Sequence, residues 1–569
     1  MSAINKPRTM IVNGRPVPIE GEKTLLDLIR KAGFDVPTLC HHSQLSTFGA
    51  CRMCIVEDKK GGIIASCSTP PKAGMEIKTN TPRIREYRKM ILELMLADHN
   101  RDCITCEKRR DCELLNQAQR FGVDTVRFET YSMDGTKDMS SPAIIRHPDK
   151  CILCGDCIRV CDEIQNVGAM DFVNRGSNME VMPAFDMPIA ETNCVNCGQC
   201  SAVCPTAAIT IRSNLPELWE MLNDDNIIVQ AQIAPAVRVA LGDDFNFPYG
   251  TNVMGKIVAA LRKLGFDEVY DTATSADLTV IEEASEFVER LNSGEKLPLF
   301  TSCCPAWVKY AENKHPELMD NISSCKSPME MFGSVLKEKA KKDAAGKKNN
   351  KIVKNIAIMP CTAKKYEIQR EDLKMNGEQV VDLSITTHEL ATLIIESGLN
   401  FKDLQPEAVD MPFGIASGAG VIFGVTGGVT EAVIRNVVNP ENRSELDEIA
   451  FTGVRGLEGV KEVKLPFGEE RVLSIAIVNG LRNAENLIKA IQSGEAYYDF
   501  VEVMACQGGC IAGAGQPFVI GRARPERSEG MYNADKMSNV RTSQANPVTE
   551  ALYNDLLSGD NAHRLLHYK

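Results

Sequence analysis

The chain of 569 residues contains 21 cysteines, and most of them stand at the short, regular spacings that hold metal ions. Fifteen lie before residue 205 in four groups, and five more lie in three short segments of the C-terminal half. In a compartment that keeps thiols reduced, dense cysteine usage indicates metal ligation rather than disulfides. The sequence therefore predicts a protein built around iron–sulfur clusters.

The first cysteine group is typical of a 2Fe–2S cluster. It combines one Cys-x-x-Cys pair with two distant partners, a ligand set related to that of plant-type ferredoxins. The gap before the pair is ten residues, longer than the plant spacing, so we expect a variant loop. A zinc site is the alternative, which the small residues within 48–54 disfavour because they let backbone N–H groups approach the sulfur atoms. The predicted ligands are Cys40, Cys51, Cys54 and Cys67.

The second group adds a histidine. His99 stands four residues before a Cys-x-x-Cys pair, at the end of an apolar helical pattern, and this position favours a ligand over an ordinary surface histidine. An imidazole ligand tends to raise the reduction potential of a cluster. We predict a 4Fe–4S cluster here, and a zinc site is the alternative. The predicted ligands are His99, Cys103, Cys106 and Cys112.

The third and fourth groups are two copies of one motif. Both follow the spacing of bacterial two-cluster ferredoxins, in which the fourth cysteine of each run binds the other cluster. The trailing proline is present only after the second copy, since Asp162 follows the first. The two predicted 4Fe–4S ligand sets are Cys151, Cys154, Cys157 and Cys204, and Cys194, Cys197, Cys200 and Cys161.

The length and the pattern of elements predict a multidomain protein with α/β and α+β parts. We expect a helix near 24–32, helical structure over 82–125, and buried strands at 227–230 and 356–359 that lead directly into proline-containing segments. The predicted domains are a plant-ferredoxin-like 2Fe–2S domain at 1–80, a small helical His/Cys3 cluster domain at 81–141, a ferredoxin-like domain with two 4Fe–4S clusters at 142–213, and an α/β catalytic domain at 214–569.

The net charge of −12 argues against nucleic acid or an anionic membrane surface as a partner. The sequence has no apolar run of the roughly 18 residues that a membrane-spanning helix needs. The N-terminus also lacks an apolar export region. We therefore expect a cytoplasmic protein with no nucleic-acid partner and no membrane.

Three C-terminal segments, 301–305, 359–367 and 502–510, together resemble the three signature motifs of FeFe-hydrogenases. The resemblance covers nearly the whole chain and includes the domain order. It implies reversible H2 oxidation and proton reduction at an H-cluster, a 4Fe–4S cluster bridged to a di-iron subsite with carbonyl, cyanide and dithiolate ligands. It also implies that dedicated maturation proteins supply the subsite. The implied cluster ligands are Cys304, Cys361, Cys506 and Cys510, with Cys510 as the bridge.

The same resemblance implies a proton path from the buried site. Cys303 is free to carry a proton because the cluster uses Cys304, and the family's path continues through Glu283, Ser323 and Glu286 to Arg290. The spacing of the two glutamates and the arginine places them on one face of a helix. Composition alone favours an exposed charged helix there, and only the family position points to a proton path.

Several further residues are implied to surround the H-cluster. Lys364 is expected to donate to a cyanide ligand, and the alternative is an ordinary surface lysine after a strand. A glycine-rich stretch at 417–428 lacks the lysine of a phosphate-binding loop, so we interpret it as close packing around the metal site. The residues expected to line the pocket, with simple core packing as the alternative for the methionines, are Met359, Met504, Ala234, Pro235 and Phe423.

The chain also departs from the common family pattern. Cys325 belongs to none of the four N-terminal groups or three C-terminal segments, and it is either a small buried residue or one with a redox-sensitive or proton-path role. Alanines at 306 and 363 resemble the catalytic subunits of NAD(P)-linked, electron-bifurcating trimers more than the ferredoxin-only monomers. The sequence has no nucleotide-binding glycine motif, so NAD(P) chemistry requires a flavin- or NAD(P)-binding partner subunit, with ferredoxin as the other electron partner.

Two other functions are compatible with parts of the sequence. A hydrogenase-like H2 sensor would tend to lack the proton path and to carry a signalling domain. The N-terminal clusters also resemble the iron–sulfur subunit of respiratory NADH dehydrogenases, whose role is electron transfer alone. The three C-terminal motifs oppose the second interpretation, and the presence of Cys303, Glu283 and Glu286 opposes the first.

Overall fold

The computed structural model describes residues 8–129, 135–346, 351–438, 449, 453–467, 471–517 and 523–568. The chain divides into two compact units, which are considered separately. Within the described ranges, none of the helices is long and apolar enough to cross a membrane. The first unit comprises Met1–Glu163, Gly168–Thr192 and Cys200–Thr210, and the second comprises Ile164–Val167, Asn193–Gln199 and Ile211–Lys569.

The first unit opens with a small β-sheet and one helix. Helix α1 is preceded by Thr24, whose hydroxyl forms a capping box with Asp27. The strands lie in the order β2-β1-β5-β3-β4, with β1 parallel to β5. The helix predicted near 24–32 is thereby confirmed. The elements are β1 (Thr9–Val12), β2 (Arg15–Pro18), α1 (Leu25–Lys31), β3 (Ile55–Asp58), β4 (Ile63–Ala65) and β5 (Glu76–Lys78).

The predicted helical region at 82–125 is two helices rather than one continuous segment. Helix α2 spans Pro82–Ala97 and α3 spans Glu113–Arg120. The intervening segment leaves the helical pattern because it offers few apolar residues to bury, and its Ile104 is 82% exposed. The prediction was therefore wrong for this segment, 98–112, which carries all four predicted ligands of the second cluster.

The rest of the first unit consists of short elements around the two cysteine runs. Gly155, in the left-handed region with φ +72°, immediately precedes α4. Short helices and tight turns are typical of loops that wrap a cluster. The elements are β6 (Ile144–Arg146), α4 (Asp156–Arg159), β7 (Asp171–Val173), β8 (Glu180–Met182), α5 (Gln199–Val203) and β9 (Ile209–Ile211), the last two of which extend across the unit boundary.

The second unit is an α/β fold, as predicted, and its strands form two four-stranded sheets. The first sheet has the order β11-β10-β13-β14 and is parallel throughout. The buried strands predicted at 227–230 and 356–359 are confirmed as parts of β10 and β13. The elements up to this sheet's last helix are α6 (Leu215–Leu222), β10 (Ile227–Ile233), α7 (Met254–Leu264), β11 (Glu268–Asp271), α8 (Ala273–Ser293), β12 (Leu299–Phe300), α9 (Pro305–Lys314), α10 (Pro328–Gly346), β13 (Ile352–Met359), α11 (Lys364–Glu367), β14 (Leu383–Thr386) and α12 (Thr387–Glu396).

The second sheet has the order β12-β17-β16-β15, in which only the β15–β16 pair is antiparallel. Helix α8 packs against α10, α13 and α14. The close packing predicted for 417–428 is present, since a Cβ on Gly420 would lie 2.2 Å from the Ala273 carbonyl oxygen. The remaining elements are α13 (Gly418–Ile422), α14 (Gly428–Val438), β15 (Val460–Phe467), β16 (Arg471–Asn479), α15 (Leu481–Gln492), β17 (Phe500–Met504), α16 (Arg524–Met537), α17 (Pro547–Asn554) and α18 (Asn561–Leu566).

A buried charge cluster joins α14 to α16. The guanidinium of Arg435 donates to Asp535 at 2.9 and 3.0 Å and also to Glu431, and all three side chains are fully buried. Arg455 and Arg541 donate to the same carboxylates from the periphery. Two carboxylates out of water require this many donors because an unpaired buried charge is strongly unfavourable.

Replacing Arg435 with methionine is expected to lower the free energy of unfolding by about 3–5 kcal/mol, since two carboxylates would lose their main buried partner. Urea unfolding of the purified protein measures the effect. The matched control is Lys342→Met, which removes an ion pair with Asp555 whose two side chains are 58% and 60% exposed and is expected to be near neutral. Equal unfolding midpoints for the two variants would contradict the role given to the cluster.

Candidate active site

The three C-terminal cysteine segments follow the carboxyl ends of parallel strands. The segment with Cys303 and Cys304 follows β12, Cys361 follows β13, and Cys506 follows β17. Strands β12 and β17 are parallel neighbours, so their cysteines emerge at the same edge of the second sheet. In open α/β sheets this edge is where ligands bind.

Local contacts hold the first of these segments in place. The indole N–H of Trp307 donates to the Thr301 carbonyl at 3.1 Å, and the Ser302 hydroxyl donates to the Cys325 carbonyl at 2.6 Å. Cys304 is the N-cap of α9, and Pro305 occupies its first turn, where a proline costs no helical hydrogen bond. These contacts fix the segment that contains Cys303 and Cys304, and only Cys304 caps the helix.

Four free thiols interact in this region. Cys506 is buried, and Cys304, Cys361 and Cys510 are half-buried. Burial raises the pKa of Cys506 well above its usual range, and the charges of Cys361 and Cys304 add to this shift. The pKa of Cys361 rises to about 11 for the same two reasons, burial and Cys304. Four thiolates buried together would repel one another unless a cation lies between them. The cationic core of an iron–sulfur cluster meets this requirement, and four thiolates are its usual ligands.

The loop after Cys506 leaves no room for larger residues. Gly509 adopts φ +86°, and a Cβ there would lie 2.5 Å from the Thr426 amide nitrogen. The Gly509 N–H donates to the Cys506 carbonyl at 3.0 Å, which closes the turn between Cys506 and Cys510. The two glycines of this motif thus bring its two cysteines to one site.

Lys364 is a buried lysine at the start of α11. Its Nζ donates to Glu367 Oε2 at 2.6 Å and to the Cys303 carbonyl at 3.4 Å. Burial opposes its charge, but the carboxylate of Glu367 and neighbouring thiols raise its pKa overall. The alternative of an ordinary surface lysine is therefore wrong, because only 8% of the residue is exposed. A permanently charged donor lies beside the cysteines.

The residues predicted to line the pocket are all buried. Met504 and Phe423 belong to the apolar cluster against which Cys303 and Cys304 pack. Met359 and Ala234 belong to the core of the first sheet, and Pro235 begins the 3-10 turn that follows β10. These positions fit both pocket lining and core packing.

Apart from Cys303, which follows β12, the residues of the predicted proton path lie on α8 and on the segment after the 3-10 turn at Pro316–Asn321. Glu283 is fully buried, and within the described part of the chain neither carboxylate oxygen has a well-formed hydrogen bond. Burial raises its pKa to about 8, the charge of Glu286 adds to the shift, and the Ser323 hydroxyl and Ser302 amide oppose it. The interpretation of this helix as simply exposed is wrong for Glu283.

Beyond Glu283 the polar groups are connected by hydrogen bonds. The Ser323 hydroxyl donates to Glu286 Oε2 at 2.8 Å, and Arg290 donates to Glu286 Oε1 at 2.6 Å. The side chains of Glu286 and Arg290 are 14% and 12% exposed. At the inner end, burial raises the pKa of Cys303 well above its usual range, with the charge of Glu283 as the next cause. The residues of the predicted path therefore extend from a buried thiol with a raised pKa to two partly exposed side chains, those of Glu286 and Arg290.

The residues of the first three predicted accessory ligand sets all belong to the first unit. Cys40, Cys51, Cys54 and Cys67 are buried, and the Cys54 and Cys67 sulfur atoms are 3.3 Å apart. Among the described residues, the Nδ1 atom of buried His99 has no hydrogen-bond partner, as expected for a nitrogen available to a metal. Cys112 is buried, and Cys103 and Cys106 are half-buried.

The third set shares one cavity. Cys151, Cys154, Cys157 and Cys204 all line a cavity together with Thr206. Burial raises the pKa of Cys151 to about 11, and the charge of Cys204 contributes. The remaining set, with Cys161, Cys194, Cys197 and Cys200, has members in both units, so its assembly stays a prediction.

Two residues close to the active-site cysteines, Gln199 and Glu502, were not predicted from the sequence. Gln199 donates its side-chain amide to the Cys506 sulfur at 3.2 Å, and the charge of Cys197 contributes to the raised pKa of Cys506. Gln199 and Cys197 both belong to the second unit. The last accessory cysteine motif therefore has residues close to the active-site cysteine Cys506. Glu502 accepts from the amides of Gly427 and Thr430 at the start of α14. The only sequence signal for Glu502 is its position four residues before Cys506.

Comparison with known protein families identifies five regions of the chain. Residues 227–514 match the C-terminal domain of the iron-only hydrogenase large subunit, and 522–569 match the iron hydrogenase small subunit. The N-terminal matches are a 2Fe–2S iron–sulfur cluster binding domain at 5–82, the NADH-ubiquinone oxidoreductase-G iron–sulfur binding region at 88–127, and a 4Fe–4S dicluster domain at 150–208.

Individual relatives agree with these matches. The NADP-reducing hydrogenase subunit HndD of Solidesulfovibrio fructosivorans is 40% identical over 98% of both chains. Iron hydrogenase 1 of Clostridium pasteurianum is 35% identical over 99% of both chains. A solved FeFe-hydrogenase from Chlamydomonas reinhardtii covers 63% of this chain and 98% of its own, with 35% identity and a TM-score of 0.54.

The chain belongs to the iron-only, or FeFe-, hydrogenase family. It is an oxidoreductase that interconverts H2 with protons and electrons, and it carries 2Fe–2S and 4Fe–4S domains as its electron relay. The prediction from the three cysteine motifs is confirmed at this level, and electron transfer alone is excluded as its function. The number of accessory clusters and their individual ligands stay predictions.

Proposed function

We propose that this chain is the catalytic subunit of an NAD(P)-linked hydrogenase, with Cys304, Cys361, Cys506 and Cys510 as H-cluster ligands and Cys303 as the first proton carrier. The observation that carries the proposal is a group of four thiols whose charges influence one another, next to a fifth thiol, Cys303, whose pKa is raised by its burial and by the charge of buried Glu283. When bound, the H-cluster supplies the redox chemistry that splits or forms H2. The protein then has to hold the cluster and move protons and electrons.

The proton carriers are ordered by their chemistry. Cys303 keeps its proton at neutral pH because its pKa is raised, so the thiol can donate inward and be reprotonated from Glu283. Glu283, with a pKa of about 8, exchanges protons readily near neutral pH. The Ser323 hydroxyl donates to Glu286 and opposes the rise in the pKa of Glu283, which supports its place between the two carboxyl groups. Arg290 neutralises Glu286 and marks the outer end of the path.

The electron path is supported by the last accessory motif. Cys197 interacts electrostatically with Cys506, so a cluster held by Cys197 would lie beside the active-site cysteines. Gln199 donates to the sulfur of Cys506, and such hydrogen bonds raise the reduction potential of a thiolate-bound cluster. The sequence therefore links its last ferredoxin-like motif directly to the catalytic cluster.

Two observations support NAD(P) as the electron acceptor. One relative is an NADP-reducing hydrogenase subunit, and this chain has alanine at 306 and 363. With no nucleotide-binding glycine motif in this chain, a flavin- and NAD(P)-binding partner has to complete the reaction, with or without electron bifurcation to ferredoxin. Cytoplasmic location fits an NAD(P) acceptor. Maturation proteins are needed for activity in any expression host.

The matured chain alone is expected to reduce a viologen dye with H2 but not NADP+, because it has no nicotinamide site. Anaerobic assays with dye, ferredoxin and NADP+ as acceptors measure this directly. A partner subunit should restore NADP+ reduction without changing the dye-linked rate. Direct reduction of NADP+ by the isolated chain would contradict the need for a partner subunit. Rapid reduction of ferredoxin, together with no NADP+ reduction after a partner subunit is added, would favour a ferredoxin-linked enzyme.

A further inference from the structure

A buried arginine connects the loop of the first cysteine group to the ferredoxin-like motif. Arg159 lies at the end of α4 and is only 8% exposed. Its Nη2 atom donates to the carbonyl oxygen of Cys40, a predicted 2Fe–2S ligand, at 2.9 Å. Its Nη1 atom donates to the Ser46 carbonyl, and its Nε atom donates to the Gly155 carbonyl at 3.3 Å. All four residues belong to the first unit, so these contacts lie within one compact body.

Two aromatic rings cover the guanidinium of Arg159. Its central carbon lies 5.5 Å from the centroid of the Phe48 ring, and Phe48 stacks on Phe172 with the ring centroids 5.7 Å apart. Gly155 leaves room for both rings, because a Cβ there would lie 3.2 Å from Phe48 and 3.3 Å from Phe172. A cation over an aromatic face is stabilised electrostatically. The guanidinium is therefore held at one position and away from bulk water.

The position of this charge matters because an arginine in a protein keeps its proton. Its buried partner is Asp156, which accepts a hydrogen bond from Nη2 and is 5% exposed. The ion pair orients the guanidinium, and the donation to the backbone of Cys40 places the positive charge at the predicted ligand. A hydrogen bond with Cys51 is the main cause that lowers the pKa of Cys40, and the charge of Arg159 adds to it. Arg159 thus stabilises negative charge at this ligand.

A fixed positive charge shifts the reduction potential of a nearby cluster upward. Reduction of a 2Fe–2S cluster adds one electron, and this extra negative charge is favoured by a cation that water does not screen. Net charge and hydrogen bonding around a cluster are among the properties that set its potential. Arg159 acts without making or breaking a bond and without transferring a proton. Its effect is therefore expected in the equilibrium between clusters and not in the ligand set.

We propose that Arg159 raises the reduction potential of the 2Fe–2S cluster and so favours this cluster as an electron acceptor within the relay. The step concerned is the transfer of one electron from a reduced 4Fe–4S cluster of the relay to the oxidised 2Fe–2S cluster. During H2 oxidation, Arg159 thus draws electrons towards the N-terminal domain, where a partner protein takes them up. The proposal rests on the proposed 2Fe–2S ligand set, which includes Cys40.

The test is a redox titration of the matured, anaerobically purified full-length protein, followed by electron paramagnetic resonance at temperatures that broaden the 4Fe–4S signals. The parent is compared with Arg159→Gln, Arg159→Lys and two controls. Arg120→Gln removes an ion pair with Asp35 whose side chains are 38% and 75% exposed, so that water screens the lost charge. Ser46→Ala removes a hydrogen bond to Glu163 that joins the same two segments, without changing any charge.

In Arg159→Gln, the equilibrium constant for reduction of the 2Fe–2S cluster by a donor of fixed potential should fall at least about tenfold, which corresponds to about 59 mV for one electron. Arg159→Lys, which keeps the charge, and both controls should stay close to the parent. An unchanged potential in Arg159→Gln overturns the proposal. A shift of the same size in Arg159→Lys or in Ser46→Ala also overturns it, because the cause would then be altered packing rather than lost charge.

The same measurement separates this proposal from the assignments on which it rests. Loss of the 2Fe–2S signal from Arg159→Gln alone would make Arg159 a structural residue and overturn its effect on the potential. Absence of the signal from the parent would overturn the 2Fe–2S ligand set together with the proposal. Dye-linked hydrogenase activity, measured in parallel, reports separately on the active-site cysteines.

Discussion

Replacing Cys303 with alanine is expected to lower both H2 production and H2 oxidation by about 10²–10⁴-fold, the usual contribution of a positioned proton donor. The thiol is the innermost member of the proposed path, and its raised pKa keeps it protonated beside Glu283. Alanine leaves the four predicted cluster ligands in place. Dye-linked assays of the matured variant measure turnover, and its infrared and iron analyses measure cofactor loading.

A matched control for this variant is Cys325→Ala. Cys325 is also a fully buried thiol near Glu283 and Glu286. It is not a member of the proposed path, in which Ser323 lies between the two glutamates. Its removal is expected to reduce the rate far less than removal of Cys303. Near-normal turnover in Cys303→Ala with full loading would refute the proton-carrier role.

Replacing Glu283 with glutamine is expected to reduce turnover to a similar extent, about 10²–10⁴-fold, because an amide of the same shape cannot exchange a proton as a carboxyl group does. Glu283→Asp, which keeps an acid, should retain more activity than Glu283→Gln. Equal activities for these two variants would contradict an acid–base role and favour a purely structural one.

The pH dependence gives a second readout of Glu283. Its pKa is raised by burial to about 8, so H2 production should fall as pH rises through about 8 and the protonated donor is lost. The same shift affects stability, because the raised folded-state pKa favours the folded protein below about pH 4.5 and this contribution is lost as pH rises to about 8. In Glu283→Gln both dependences should flatten. A parent profile without a transition near pH 8 would contradict the assignment.

The cysteine spacings predicted the class of chemistry well because ligand spacing reflects cluster geometry directly. The α/β class of the second unit and its strands β10 and β13 also followed from periodicity, since buried parallel strands are short apolar runs. The helical structure expected over 82–125 was wrong for the segment 98–112 between α2 and α3. The local pattern of apolar residues did not show that the segment with the predicted cluster ligands lies outside both helices.

Contacts between distant parts of the chain could not be predicted. Glu282 and His567 are 285 residues apart, and nothing in their neighbourhoods marks them as partners. Composition favoured an exposed helix around Glu283, and the family resemblance alone placed it in a proton path. Its full burial depends on how α8 packs against α10, α13 and α14, which is a property of the tertiary fold.

The infrared spectrum of the matured, anaerobically purified chain, with and without H2, tests the account most directly. If Cys304, Cys361, Cys506 and Cys510 hold an H-cluster, carbonyl and cyanide bands should appear between the amide and C–H regions and shift under H2. Cys361→Ala, matured in parallel, should lack these bands. Their absence from the parent after confirmed maturation, or their persistence in Cys361→Ala, would contradict the assignment of this site.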